Sequence, residues 1–144
     1  VLVFGMGRVG TGVYNCLLDK YGKNLLGIDY DIDVVNAHQL EGRNVIIGDA
    51  TDIDFWERLR PGDVKLILLD MPNIREALAT VNIIKRTPYA GLIAASVKRD
   101  DFIPTLKSAG VDAVFNIYAE AGSAFASHVY ENLKFSLEPD AAKN

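Results

Sequence analysis

Val1–Asp19 reads VLVFGMGRVGTGVYNCLLD. Glycines stand at Gly5, Gly7, Gly10 and Gly12, four in eight positions. Each loses backbone entropy on folding, so the pattern needs a geometric reason. An apolar run leads into Gly5-Met6-Gly7-Arg8-Val9-Gly10, and Val9, Val13, Cys16, Leu17 and Tyr21 then recur at helical spacing. A GxGxxG set between a strand and a helix is the phosphate-binding turn of a dinucleotide-type fold. In that role Gly5 permits the tight turn, Gly7 lets a pyrophosphate approach the backbone, and Gly10 packs the helix on the strand. The free N–H groups and positive end of the helix then face the phosphates. Met6 and Val9 belong to the same loop. Arg8 either adds a charge-assisted contact or points to solvent.

The second apolar run, Leu25–Ile28, ends at Asp29, 19 residues after Gly10, with Tyr30 beside it. An acidic residue there accepts hydrogen bonds from adenosine ribose hydroxyls. Asp31 and Asp33 follow, and this acidic corner opposes a 2′-phosphate. Like charges about 4 Å apart cost roughly 4 kcal/mol at an effective dielectric of about 20. The expected ligand is therefore NAD(H), AMP, ADP or ATP rather than NADP(H). Without a ligand role, Gly10 would be a packing glycine and Asp29 a helix-capping acid. Gly48-Asp49-Ala50-Thr51 ends the third run and abuts the adenine side of the same crevice. Asp49 or the Ala50 backbone is expected to meet the base edge; the alternative is a turn and cap, with Thr51 or Asp52 as the cap. Asp70-Met71-Pro72-Asn73 closes the crevice on the other side, with Met71 facing either a ribose or ring or the core.

Further apolar runs are Val45–Ile47, Leu66–Leu69, Leu92–Ala95 and Ala113–Ile117, after the opening Val1–Phe4. They are continuous rather than alternating, as in strands buried on both faces. Helical segments follow Asp31 or Asp33, Thr51–Asp52, Pro72–Asn73, Arg99–Asp101 (ending at Gly110) and Ala119. The pattern predicts an α/β fold: a doubly wound six-stranded parallel sheet, Rossmann-like, in the order 3-2-1-4-5-6. One domain over 1–135 and a frayed tail at 136–144 are expected. The chain has 144 residues, a net charge of −4 and a single cysteine, which argues against a nucleic-acid groove and forbids an internal disulfide. It opens on VLVF rather than Met, which suggests a piece excised from a longer protein.

FGMGRVG (4–10), GIDYD (27–31), VIIGDATD (45–52) and LILLDMPN (66–73) together resemble the RCK domain, the regulator of potassium conductance also called the TrkA-N or KTN domain. The resemblance covers nearly the whole chain. It implies a cytosolic regulatory domain that binds an adenine nucleotide, AMP or NAD(H), forms a homodimer, and gates an attached potassium channel or transporter in the membrane. Among the branches of the family, the chain looks most similar to Kef-type potassium efflux antiporters. Gly5, Gly7, Arg8, Gly10, Asp29, Asp49, Ala50 and Thr51 match the nucleotide motif. Glutathione-gated members carry arginines near the end of the fifth strand; here LIAASV is followed by basic residues only at Lys98 and Arg99.

Enzyme chemistry is poorly supplied, and no catalytic residue or metal is expected. A nicotinamide dehydrogenase needs an acid/base residue near the hydride acceptor. His38 and His128 are expected at the surface or an interface. Tyr130 and Lys134 form a YxxxK pair that follows the last strand, out of place for a short-chain dehydrogenase. Cys16 is expected in the core. The alternative reading is the coenzyme-binding domain of an NAD-dependent oxidoreductase; a methyltransferase also uses a glycine loop and an acid after the second strand. Ala121, Phe125, Val129 and Leu133 recur every four residues, which predicts partial packing on the domain's own sheet. With Tyr118 and Phe135 they offer enough aromatic surface for a two-fold homodimer through the late strands and last helix.

Overall fold

The computed structural model describes residues 1–133. Lys134, Phe135 and the tail at 136–144 lie outside the described residues. Within them the chain alternates β1 (Leu2–Phe4), α1 (Arg8–Tyr21), β2 (Leu26–Asp29), α2 (Ile32–Leu40), β3 (Val45–Ile47), α3 (Ile53–Leu59), β4 (Leu66–Leu69), α4 (Ile74–Arg86), β5 (Leu92–Val97), α5 (Ile103–Ser108), β6 (Ala113–Asn116) and α6 (Ile117–Leu133). The six strands form one parallel sheet in the order β3-β2-β1-β4-β5-β6, as the alternation of apolar runs and helices predicts. Phe4 pairs with Ile28 on one side and Leu69 on the other, so β1 is central and its C-terminal end opens at the switch point of the sheet.

Alternate strand residues serve opposite faces, and both faces are covered. Leu2, Phe4, Ile67, Leu69 and Ile93 pack with Trp56 of α3, Val81 and Ile84 of α4 and Leu106 of α5. Val3, Leu25 and Val45 pack on the other face with Tyr14 of α1 and Val35 of α2. Phe4 stacks on Trp56 with ring centroids 5.0 Å apart, and Phe55 meets both rings edge-on. Helix starts are fixed by short polar side chains that accept from the backbone two residues on: Asp31 from Asp33, Asp52 from Asp54, Asn73 from Arg75. The caps left open by the sequence are thus Asp31 and Asp52, not Asp33 or Thr51.

Two expectations are corrected. Cys16 is exposed rather than in the core. The buried stripe of α1 runs through Gly10 and Tyr14, and a residue two positions on faces about 200° away. The last helix does not pack its stripe on the sheet. No residue of α6 is buried among those described, and Phe125 is 74 % exposed.

Candidate functional site

The C-terminal ends of β1, β2, β3, β4 and β5 converge on a cleft of about 580 Å³. Its floor is the glycine loop. Gly5 has φ +88°, and its N–H donates to the Ile28 carbonyl at 2.9 Å, which ties the loop to β2. A β-carbon on Gly5 would run into the Asp70 carbonyl oxygen, and one on Gly10 into the Gly5 carbonyl oxygen. These two glycines are spent on chain-to-chain packing. Gly7 is different: nothing lies within 4 Å of where its β-carbon would be. It is the exposed N-cap of α1, with no side chain capping the helix. The first amides of α1 have no intrahelical acceptor, and Arg8 and Val9 line the cleft. The structure therefore has the cradle that a phosphate needs, an open backbone at an uncapped helix N-terminus.

Asp29 closes β2 at the cleft's rim. Its Oδ2 accepts from the Met6 N–H at 2.8 Å and its Oδ1 from the Asp31 N–H at 2.9 Å. Both oxygens are held in place, and each keeps a lone pair for a further donor. Met6 itself contributes backbone only. Its side chain is buried against Gly27 of β2, where a missing β-carbon leaves room for it. Tyr30 is largely exposed at the rim.

The β3 end contributes Asp49 and Ala50 to the wall, but Thr51 does not reach it. Thr51 donates through its N–H and hydroxyl to Asp49 Oδ1 at 2.8 and 2.7 Å. It positions Asp49 rather than facing the cleft. Gly10 likewise supports the site from below. Asp70, at the end of β4, lies in the cleft with Oδ2 3.2 Å from the Gly10 N–H and Oδ1 accepting from the Ser96 hydroxyl. Met71 does both jobs the sequence left open: it packs against the core and lines the cleft.

Sequence reasoning missed His38. It is buried rather than at the surface. Its Nδ1 lies 3.1 Å from an Arg43 guanidinium nitrogen, which can only donate. The other ring nitrogen, Nε2, therefore carries the proton and donates to the Met6 carbonyl at 2.8 Å. Thr11 donates to the same carbonyl at 3.1 Å. His38 is a positioning residue for the glycine loop, 32 residues away in sequence, and no local motif could announce it. The end of β5 was also missed as a wall of the site: Ser96, Lys98 and Arg99 face the cleft. Arg99 is forked onto Asp101 at 2.7 and 2.9 Å, a pairing that raises the guanidinium's pKa and lowers the carboxyl's. Among the described residues no cluster of three His, Cys, Asp or Glu side chains is arranged to hold a metal ion.

A parallel sheet whose central strand turns through an open glycine loop into a helix, with a carboxylate closing the next strand, defines a Rossmann-like α/β domain. The chain belongs to the TrkA-N domain family, whose model matches residues 1–117. It is 26% identical over 131 residues to an uncharacterized protein of Methanocaldococcus jannaschii, covering 90% of this chain and spanning only 26% of that relative. Its fold is similar to the NAD(P)-binding domain of an exopolyphosphatase-related protein from Archaeoglobus fulgidus, with a TM-score of 0.81, 20% identity and coverage of 90% of this chain and 96% of that one. It is also similar to the TrkA-N domain of the inner membrane protein ybaL from Escherichia coli, with a TM-score of 0.74, 23% identity and coverage of 88% and 93%. A third similar structure is the GsuK channel, with a TM-score of 0.74, 18% identity and coverage of 89% of this chain and 34% of that one. Structures of GsuK bound to NAD and bound to ADP share the fold.

Proposed function

We propose that this chain is a regulatory domain that binds an adenine nucleotide, AMP or NAD(H), and gates an attached potassium efflux or transport protein from the cytoplasmic face of the membrane. The domain itself performs no catalytic step. One observation carries the nucleotide reading: the Asp29 carboxylate is pinned by the Met6 N–H beside the open Gly7 and the uncapped start of α1. Ribose hydroxyls would donate to Asp29, and the phosphates would lie over Gly7, Arg8 and Val9, with Asp49 and Ala50 at the base. Asp31 at the same rim weighs against a 2′-phosphate. Binding of NAD and ADP by GsuK supports the ligand class, and the membrane setting of ybaL and GsuK supports the transport role.

The exposed last helix belongs to the same proposal. Phe115 on the edge strand and Tyr118, Phe125 and Leu133 on α6 are exposed apolar side chains that a second copy of the chain would cover in a two-fold homodimer. Nucleotide binding gates only if it favours one dimer arrangement over another.

A thermal-shift panel with AMP, ADP, ATP, NAD, NADH and NADPH tests the ligand. At 100 times Kd a ligand stabilises the fold by about 2.7 kcal/mol, several degrees in midpoint. A shift with AMP or NAD(H) and none with NADPH is expected. No shift with any of them sinks the nucleotide reading, and a shift with NADPH alone removes Asp29 from it. Gating is tested by nucleotide-dependent potassium flux through the full-length parent in liposomes.

The Archaeoglobus structure favours a second reading, in which a domain of this kind serves an attached enzyme rather than a pore. The parent reading frame separates the two: apolar membrane helices beside this domain mean a transporter, and a catalytic domain means an enzyme.

A further inference from the structure

We infer that Asp70 selects among nucleotides by charge, so that the cleft favours NAD over ADP and ADP over ATP. The inference rests on the nucleotide reading above and adds which nucleotide is preferred and which residue decides it.

In an open glycine loop the amides of the first helical turn are free for an anion. Here one of them is taken. The Gly10 N–H points to Asp70 Oδ2, so a fixed negative charge sits on the helix end that phosphates would use. Asp70 has little freedom to swing away. Its other oxygen holds the Ser96 hydroxyl on β5, its N–H donates to the Phe4 carbonyl at 2.9 Å on β1, and its own carbonyl fills the space that Gly5 leaves by lacking a β-carbon. In strand order Asp70 lies between the Asp29 corner and the Lys98–Arg99 end of the cleft. A ligand anchored at Asp29 must pass Asp70 before it meets those cations, and Arg99 is already paired with Asp101.

The rest of the wall does not offset this charge. Asp29, Asp31, Asp49 and Glu76 join Asp70, so carboxylates outnumber the cations Arg8, Lys98 and Arg99. Every terminal phosphate therefore enters against like charge. ATP carries the longest chain of such groups and ADP a shorter one. In NAD the diphosphate is esterified at both ends and the oxidised nicotinamide ring is a cation, so NAD meets the least repulsion.

The test is calorimetric titration of the 144-residue chain and its Asp70→Asn variant with NAD, ADP and ATP. The native chain should bind in the order NAD, ADP, ATP. Asparagine keeps an acceptor for Gly10 and a partner for Ser96 while removing the charge. It should tighten ADP and ATP by about tenfold and NAD by less than about threefold. A different native order, or an Asp70→Asn variant that leaves the ratios unchanged or weakens all three alike, overturns the inference. If the variant fails to fold by circular dichroism, salt gives the answer on the native chain. Screening of the repulsion should narrow the gap between NAD and ADP as sodium chloride rises; a constant or widening gap overturns the inference. Native chain that binds none of the three brings down the nucleotide reading and this inference with it. Native chain that binds in the wrong order brings down this inference alone.

Discussion

The glycine-loop corner and the last helix follow opposite rules. At the corner, polar groups are held by partners within the same chain: the Asp29 carboxylate by Met6 and Asp31, the Met6 carbonyl by His38 and Thr11, the Asp70 carboxylate by Gly10 and Ser96. Its shape is set before any ligand arrives, the preorganisation that makes binding cheap in entropy. The last helix, among the described residues, is held at its first turn by the Asn116 side chain and little else. It is about 25 Å long, carries Gly122, Ser123 and Ser127 within it, and buries no residue among those described. A lone helix of this length and composition is marginal in water. The corner is braced by its own chain; among the described residues nothing covers the apolar side chains of α6.

The sharpest way to break this contrast is inside the loop itself. Gly10→Ala puts a methyl group into the Gly5 carbonyl, which is backbone and cannot swing aside as a flexible side chain would. The expected loss is about 3 kcal/mol of stability by urea unfolding. Gly7→Ala faces open space and should leave stability nearly untouched while weakening nucleotide binding. Equal destabilisation by the two would mean that the loop is not divided into a packing half and a ligand half.

Next in size is His38→Ala. It removes the ring N–H from the Met6 carbonyl and one of the acceptors of the Arg43 guanidinium, which keeps Glu41 and Asn15. A cost of about 2 kcal/mol is expected from the broken buried network, with weaker nucleotide binding as the loop loosens. His38→Gln keeps a donor within reach and should restore part of both. An alanine variant as stable as the native chain would return His38 to the surface role its sequence context implies.

Asp29→Asn comes third. Asparagine retains an oxygen for the Met6 N–H and gives up only the exposed acceptor of the Asp31 N–H, so the fold should hold. Affinity for NAD or AMP should fall at least tenfold, about 1.4 kcal/mol, as the charge that meets the ribose hydroxyls is lost. Arginine at this position would also break the bond to Met6, and its effect would mix binding with stability. Unchanged affinity by calorimetry would remove Asp29 from the site.

The same contrast explains what could be read in advance. The alternation of apolar runs and helices, the GxGxxG turn and the acid that ends the second run are local patterns, with cause and consequence within a few residues, and the strand order follows from that alternation by the general rule for doubly wound sheets. His38 is not: its partners come from the glycine loop and from Arg43, and the fold alone brings them together. Tyr14 escaped notice for the same reason, since its hydroxyl accepts from the Asn44 N–H, 30 residues on. Cys16 was misplaced because several faces of α1 carry apolar residues, and only the packing against β1 chooses among them. Ser96 and Lys98 become part of the cleft only once β5 is placed beside β4. The stripe on α6 is a true periodicity, but a periodicity says which residues share a face and not what covers it.

The smallest stability effect is expected on that helix, and it is the most telling. Phe125→Glu places a charge on a side chain that is already in solvent, so a monomer should lose no more than about 0.5 kcal/mol. In the homodimer the same charge would be buried without a partner, which is strongly disfavoured. Sedimentation at micromolar concentration should therefore show a dimer for the native chain and a monomer of about 15.8 kDa for the variant. The melting temperature of the native chain should rise with protein concentration while that of the variant stays constant, because only association couples stability to concentration. A native chain that sediments as a monomer leaves α6 without a second copy to cover it. A variant that loses stability at concentrations where the native chain is already monomeric would mean that the helix folds back on its own sheet. The order of the two events, dissociation without unfolding or unfolding without dissociation, decides whether α6 belongs to one chain or to two.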